Sequence, residues 1–303
     1  MRILVTGAAG FLGSYLVTEL VERRHDVAVL LRPGSHPWRL EALGDRIQRE
    51  CVDLDHRSKL CKSLAELRPE VIAHLAWRGV ENVDHNNHVQ AHNIPTTMHL
   101  LDLAAAAGAR VFIGAGSQAE YGPYDRPISE LDATHPTTLY GHAKLAAGLM
   151  ANWLAAKRDL RFAWMRVFST YGAKDNPSWL IPSLITKMRK NERMSLTAGE
   201  QRWGLLHARD AAAGFRTMIE NSSASGVFNL GSPNAPLLRD TILRLRDLVN
   251  PQAELGFGEV PYRPDQVMVL SADVSRLQAL GWAPSIKLED GLAETVAFYD
   301  CRT

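Results

Sequence analysis

Cysteine is scarce in this chain of 303 residues: Cys51, Cys61 and Cys301 form no CxxC pair. That excludes a disulfide framework and a thiolate zinc site, and points to structural thiols in a reducing compartment. Long apolar runs are missing too. Nothing approaches the ~18 consecutive apolar residues of a membrane span, and the chain opens on RILV rather than on a basic segment before an apolar stretch. Neither sign of charge is in excess, with 34 Lys and Arg against 33 Asp and Glu. A phosphate backbone or an anionic membrane would find no basic field here. There is no internal repeat, low-complexity tract or long linker. These absences predict a soluble, cytoplasmic protein with neither nucleic acid nor membrane as partner.

What is present is an alternation of short β-branched or apolar runs with longer amphipathic ones. RILVT precedes FLGSYLVTELVERR; DVAVLL and EVIAHLA follow, then NIPTTMHLLDLAAAAG; ARVFIGAGS precedes LYGHAKLAAGLMANWLAAK, and LRFAWMRV closes the series. Such alternation predicts βαβ units on a parallel sheet with helices on both faces. Beyond Tyr171 the rhythm breaks into short pieces punctuated by Pro177, Pro182, Pro233, Pro236, Pro251, Pro261, Pro264 and Pro284. The expected fold is α/β, a Rossmann-type doubly wound parallel sheet with a smaller mixed C-terminal substrate-binding region. Residues 1–172, with 205–230 returning to them, would make the dinucleotide-binding domain, and 173–204 with 231–303 the substrate-binding region. A ligand cleft is expected at the carboxyl ends of the strands.

GAAGFLG places Gly7, Gly10 and Gly13 between the first strand and the first helix, with Phe11 and Leu12 inside the motif. Glycines there let the backbone turn tightly, approach a pyrophosphate without a Cβ in the way, and aim a helix N-terminus at negative charge. An NAD site usually carries Asp or Glu at the end of the second strand. This chain instead reads LLRPGS, with no carboxylate until Glu41. Arg32 is suited to a ribose 2′-phosphate, with Ser35 and Arg39 as helpers, so NADP(H) is favoured over NAD(H). Asp53, followed by Leu54, would accept from the adenine amino group or cap the following helix.

Tyr140 and Lys144 in YGHAK lie four apart, on one face of a predicted helix. An ammonium beside a phenol of ordinary pKa ~10 lowers that value and tunes the phenol for acid/base work. Ser117, in GAGSQAEYG at the end of the preceding strand, brings a hydroxyl to the same sheet edge, where it can hold a carbonyl or alkoxide oxygen.

GxxGxxG at 7–13, Asp53, HLA at 74–76, Asn93, Ser117 four residues before Tyr121-Gly122, Tyr140xxxLys144 and RVFSTYG at 166–172 together resemble the extended short-chain dehydrogenase/reductase family of nucleotide-sugar epimerases, dehydratases and reductases. The likeness runs on through FNLGS and LGWAPSIKLEDGL. It implies that Ser117, Tyr140 and Lys144 are the catalytic trio and that Leu75, Ala76 and Asn93 join the coenzyme site. Gln118, Ser169, Trp179 and Arg263 are implied to meet the substrate. A homodimer through a helix pair is implied as well, from the alanine-rich stretches 97–107 and 143–156. Gln118 and Ala119 stand where the sugar 4,6-dehydratases have an Asp-Glu pair, which disfavours dehydration. SQAEYG and EQRWGLLHARDAA look most like the branch that reduces 4-keto-6-deoxy sugar nucleotides. Ser169 stands where relatives often carry Asn, and the segment around Trp203 departs from their Arg. A nucleotide-sugar epimerase with tightly bound NAD and a non-catalytic NADP(H) sensor are the alternatives. His85, His88 and His92 share a helical face but lack the ligand neighbours of a metal site, so no metal is expected and they read as surface or cleft wall. His207 reads as cleft wall or as a second acid/base.

Overall fold

The structure is a computed structural model that describes residues 1–263 and 266–301. Its first half alternates as the sequence does: β1 (Arg2–Thr6), α1 (Phe11–Glu22), β2 (Asp26–Leu31), β3 (Gln48–Cys51), α2 (Arg57–Leu67), β4 (Val71–His74), α3 (Val89–Ala106), β5 (Val111–Ser117), α4 (Leu139–Lys157) and β6 (Arg161–Val167). The second half is made of shorter pieces: β7 (Thr170–Tyr171), α5 (Leu180–Arg189), β8 (Met194–Leu196), β9 (Arg202–Trp203), β10 (Leu206–His207), α6 (Ala208–Glu220), β11 (Gly226–Leu230), α7 (Leu238–Val249), β12 (Leu255–Phe257), β13 (Val269–Leu270), α8 (Ser275–Gln278) and α9 (Leu288–Asp300).

Seven strands form one sheet in the order β11-β6-β5-β4-β1-β2-β3, every neighbouring pair parallel. Its central strands β1 and β4 are buried almost throughout, as strands covered on both faces must be. On one face α1 and α6 pack together over Leu16, Val17, Leu20, Ala211 and Phe215. On the other, α2, α3 and α4 bury Leu60, Leu64, Leu100, Leu101, Ala147 and Ala151. A third core, of Ile181, Ile185, Ile242, Leu245, Leu292 and Val296, joins α5, α7 and α9.

Strand order reverses at β1, which has β2 on one side and β4 on the other. Diverging connections there leave a crevice at the carboxyl ends, the place where open α/β sheets take ligands. Two local features depart from the sequence reading. α3 begins at Val89, ahead of the NIPTT run, and carries Pro95 inside it. The proline-punctuated half also holds three small parallel pairs, β7 with β10, β8 with β12 and β9 with β13; strands of two or three residues are too short to show a period.

Candidate active site

The crevice begins at the glycine loop and is shaped by backbone. Gly7 has φ +72°, and a Cβ there would lie 2.5 Å from the Ala76 nitrogen; at Gly13 it would lie 2.1 Å from the Gly7 carbonyl oxygen. Neither position accepts a side chain. The far wall is pinned by a buried polar chain. Ala76 N–H donates to Thr6 Oγ1 at 3.3 Å, and Thr97 Oγ1 donates to the Asn93 carbonyl at 2.9 Å. These directions make His74 Nε2 the donor to Thr97 (3.1 Å) and Nδ1 the acceptor from Thr6 (2.7 Å). Burial, helped by the charge of Lys144, pushes His74 down to about 3, so it stays neutral. Asn93 turns its amide onto the backbone of Arg78, accepting from its N–H at 2.8 Å and donating to its carbonyl at 3.1 Å. It therefore braces the wall behind Leu75 and Ala76.

From the loop a cavity of about 470 Å³ runs past Phe11, Leu12, Arg32, Ser35, Asp53 and Leu54 at one end to Ala115, Gly116, Tyr140 and Lys144 at the other. Arg32 is exposed at its rim. Ser35 Oγ is buried with no hydrogen-bond partner, an orphan at the cavity wall that a ligand hydroxyl or phosphate would satisfy. Arg39 behaves differently from the expected phosphate helper: it donates to the carbonyls of Lys174 (2.7 Å) and Ala9 (3.2 Å), tying the glycine loop to the chain after β7. Asp53 Oδ1 accepts from Asp55 N–H and from Arg78, both at 3.0 Å.

At the other end the three expected groups converge. Ser117 ends β5, Tyr140 and Lys144 lie on the first turns of α4, and the Ser117 hydroxyl favours the ionised form of the Tyr140 phenol. Lys144 is buried, donates to the Ala115 carbonyl at 2.6 Å and lies 3.8 Å over the Trp77 ring. Desolvation drops it to about 7, with Glu120 pulling the other way. The phenol is raised, to about 12: burial outweighs the lowering influence of the Ser117 hydroxyl, and Glu120 adds to the rise. The sequence argument expected a lowered phenol. The difference arises because the Lys144 amine points at Trp77 and a carbonyl, so burial sets the balance.

Glu120 is the residue the sequence reading missed. It is fully buried, accepts from Ser117 N–H (2.8 Å), Trp164 Nε1 (2.9 Å) and Arg166 Nε (2.7 Å), and closes a capping box with Ser117. The signal was readable, since Ser-x-x-Glu is the capping-box spacing.

A family model described as the NAD dependent epimerase/dehydratase family matches residues 3–231, from β1 through β11. The chain belongs to that family. Among members similar to it, CDP-abequose synthase of Salmonella muenchen is 22% identical, the alignment covering 98% of this chain and 97% of that one. The dTDP-4-dehydro-6-deoxyglucose reductase of Escherichia coli is 24% identical over 99% and 98%. Of solved structures, the UDP-glucose 4-epimerase of Thermotoga maritima, with UDP-glucose, superposes with a TM-score of 0.90 at 23% identity, covering 100% and 99%. The UDP-glucuronic acid 4-epimerase of Bacillus cereus, with UDP-glucuronic acid and NAD, gives 0.86 at 23%, covering 100% of each chain.

At the substrate end of this family member the expected residues are scattered. Gln118 is half-buried beside Ser117. Ser169 Oγ accepts from Trp203 Nε1 at 3.1 Å. Trp179, at the start of α5, and Arg263 are exposed and do not line the cavity of the glycine loop; Pro264 and Asp265 of the YRPD motif lie outside the described residues. His207 caps α6, accepting from Arg209 N–H at 3.3 Å, with Nε2 buried without a hydrogen-bond partner and 3.9 Å from Glu294 Oε1. A larger cavity of about 750 Å³, lined by Arg202, Arg244 and Lys287 among others, contains neither the glycine loop nor the trio. Chemistry rather than size locates the site. Among the described residues no cluster of His, Cys, Asp and Glu could hold a metal, and no helix is long and apolar enough to cross a membrane.

Proposed function

We propose that this protein is an oxidoreductase that reduces a nucleotide-linked 4-keto-6-deoxy sugar to the 4-hydroxy sugar with NADP(H). The observation that carries the reading is that Tyr140 and Lys144 line the same cavity as the glycine loop, with Ser117 acting on the Tyr140 phenol. A dinucleotide fits that cavity chemically: backbone with no room for a Cβ at the loop, and the orphan hydroxyl of Ser35 with Arg32 farther along. Gly7, Gly10 and Gly13 would hold the pyrophosphate, Arg32 and Ser35 the 2′-phosphate, and Lys144 the ribose beside the ring. Bound there, the coenzyme supplies hydride.

This chain's own residues manage the oxygen and the proton. Ser117 positions the carbonyl oxygen by hydrogen bonding. Tyr140, protonated at neutral pH because burial raises it to about 12, stands as the proton donor. An alkoxide is a stronger base than even this phenolate, so the transfer runs downhill. Glu120, through the Ser117 N–H, fixes the hydroxyl's place. The third core beneath α5, α7 and α9 supports a substrate-binding region made of residues 173–204 and 231–303. Leu149, Met150 and Trp153 form an exposed apolar stretch on α4, which supports pairing with a second copy.

The fold neighbours that are epimerases favour the second reading, in which hydride returns to the same sugar. Coenzyme consumption separates the two. NADPH oxidation against a panel of nucleotide-linked 4-keto-6-deoxy sugars is expected to be stoichiometric with at least one of them. Flat traces throughout would refute the reduction, and sugar inverted without coenzyme loss would establish the epimerase.

A further inference from the structure

The proton-donating phenol is held by more than its own helix. The segment 80–88, between β4 and α3, reaches across to the start of α4. There the carbonyl of His85 accepts from Tyr140 N–H at 2.8 Å, and Asn86 Oδ1 accepts from Leu139 N–H at 3.0 Å. Both are first-turn donors with no partner inside the helix; the next, Gly141 N–H, goes to Thr138 Oγ1 at 3.1 Å. The same segment then places the His85 imidazole flat on the Tyr140 ring, centroids 4.6 Å apart and planes 8° from parallel. Trp77 meets that ring edge-on at 6.2 Å and 86°. With one face and one edge covered, the ring has little freedom to swing away from Ser117.

His85 is itself anchored. Its Nε2 lies 3.3 Å from the Val80 carbonyl, which can only accept, so that nitrogen carries the proton. Gln90 ties the segment at its start and its middle by donating to the carbonyls of Gly79 (2.5 Å) and Asp84 (3.0 Å), and it accepts from Trp77 Nε1 at 2.8 Å. Stacking platform and edge contact therefore share one brace.

We propose that His85 is a positioning residue for the reaction: its stacked imidazole fixes the orientation in which the Tyr140 hydroxyl faces Ser117 and the reacting oxygen. The proposal rests on the ketoreductase reading for its kinetic consequence, while its structural content stands apart. Stacking needs a flat ring and no charge, so phenylalanine should substitute and alanine should not. Misplacing a reacting group by ~1 Å can cost ~100-fold.

The test compares His85→Ala and His85→Phe with the wild-type chain. His85→Ala is expected to lower kcat ~10-fold or more with KM and coenzyme affinity within about twofold, and His85→Phe to restore kcat to within about threefold of wild type. Ring-labelled tyrosine provides a readout independent of turnover: the Tyr140 NMR signal, identified by its loss in Tyr140→Phe, should shift in His85→Ala as the ring current of the imidazole disappears. Undiminished kcat in His85→Ala, equal loss in His85→Phe, or an unmoved tyrosine signal would overturn the proposal. A wild-type chain inactive on every sugar tested would refute the ketoreductase reading and leave the tyrosine signal to decide this one.

Discussion

The two ends of the cleft are built from different materials. At the coenzyme end the shape comes from backbone: a Cβ on Gly7 or Gly13 would run into main-chain atoms of Leu75, Ala76 and the loop itself, and the wall opposite is fixed by hydrogen bonds to main-chain groups. At the reaction end it comes from side chains reaching in from β5, α4 and the segment before α3. A backbone-built site tolerates no added atom. A side-chain-built site keeps its shape under substitution and loses its chemistry instead.

Replacement at the reaction end is the sharpest way to separate the two. Tyr140→Phe removes the proposed proton donor and is expected to reduce turnover by ~10²–10⁴-fold, while a coenzyme titration stays within about twofold of wild type. Loss of coenzyme binding in that variant would merge the two ends again. Gly13→Ala should do the reverse. Its Cβ would be driven against the Gly7 oxygen, so urea unfolding is expected to show ~1–3 kcal/mol of destabilisation together with lost coenzyme binding. A smaller effect is expected at the rim, where Arg32 is exposed: Arg32→Ala should weaken NADPH about tenfold and leave NADH unchanged. An equal loss for both coenzymes would remove the 2′-phosphate from the account.

The gentlest probe is pH. His74 braces the backbone-built wall and takes a proton only near pH 3 when folded, against about 6.5 when free. Above pH 6.5 neither state is protonated and the group has no effect. Between 6.5 and about 3 the unfolded chain binds the additional proton, so stability falls as pH falls, this group contributing a slope of ~1.4 kcal/mol per unit. Urea midpoints measured from pH 7 to pH 5 should show that slope, and His74→Gln should be flatter by one proton. A variant with the wild-type slope would mean that His74 is not the neutral brace described.

The same contrast explains what could be read from the sequence. Gly7, Gly10 and Gly13 were legible because backbone geometry dictates a residue type at a fixed spacing after a strand. Tyr140 and Lys144 were legible because four residues is one helical turn. Ser117 was placed by the strand it ends, and Glu120 could have been, since its capping box is local. His85 could not, because its contact with Tyr140 depends on the path of a loop between β4 and α3. The direction of the Tyr140 shift was missed for a related reason: spacing puts an amine near a phenol but does not say that Trp77 and Ala115 engage it first. Arg39 reads in the sequence as a helper to Arg32, but it is engaged by two carbonyls brought together only by folding.

Isotope transfer addresses the reduction itself. With NADPH deuterated at the transferable C4 position and a nucleotide-linked 4-keto-6-deoxy sugar as acceptor, mass spectrometry is expected to find one deuterium on the product's C4 carbon for each coenzyme consumed. Unlabelled product, or an inverted sugar with the coenzyme intact, would contradict net reduction at this site.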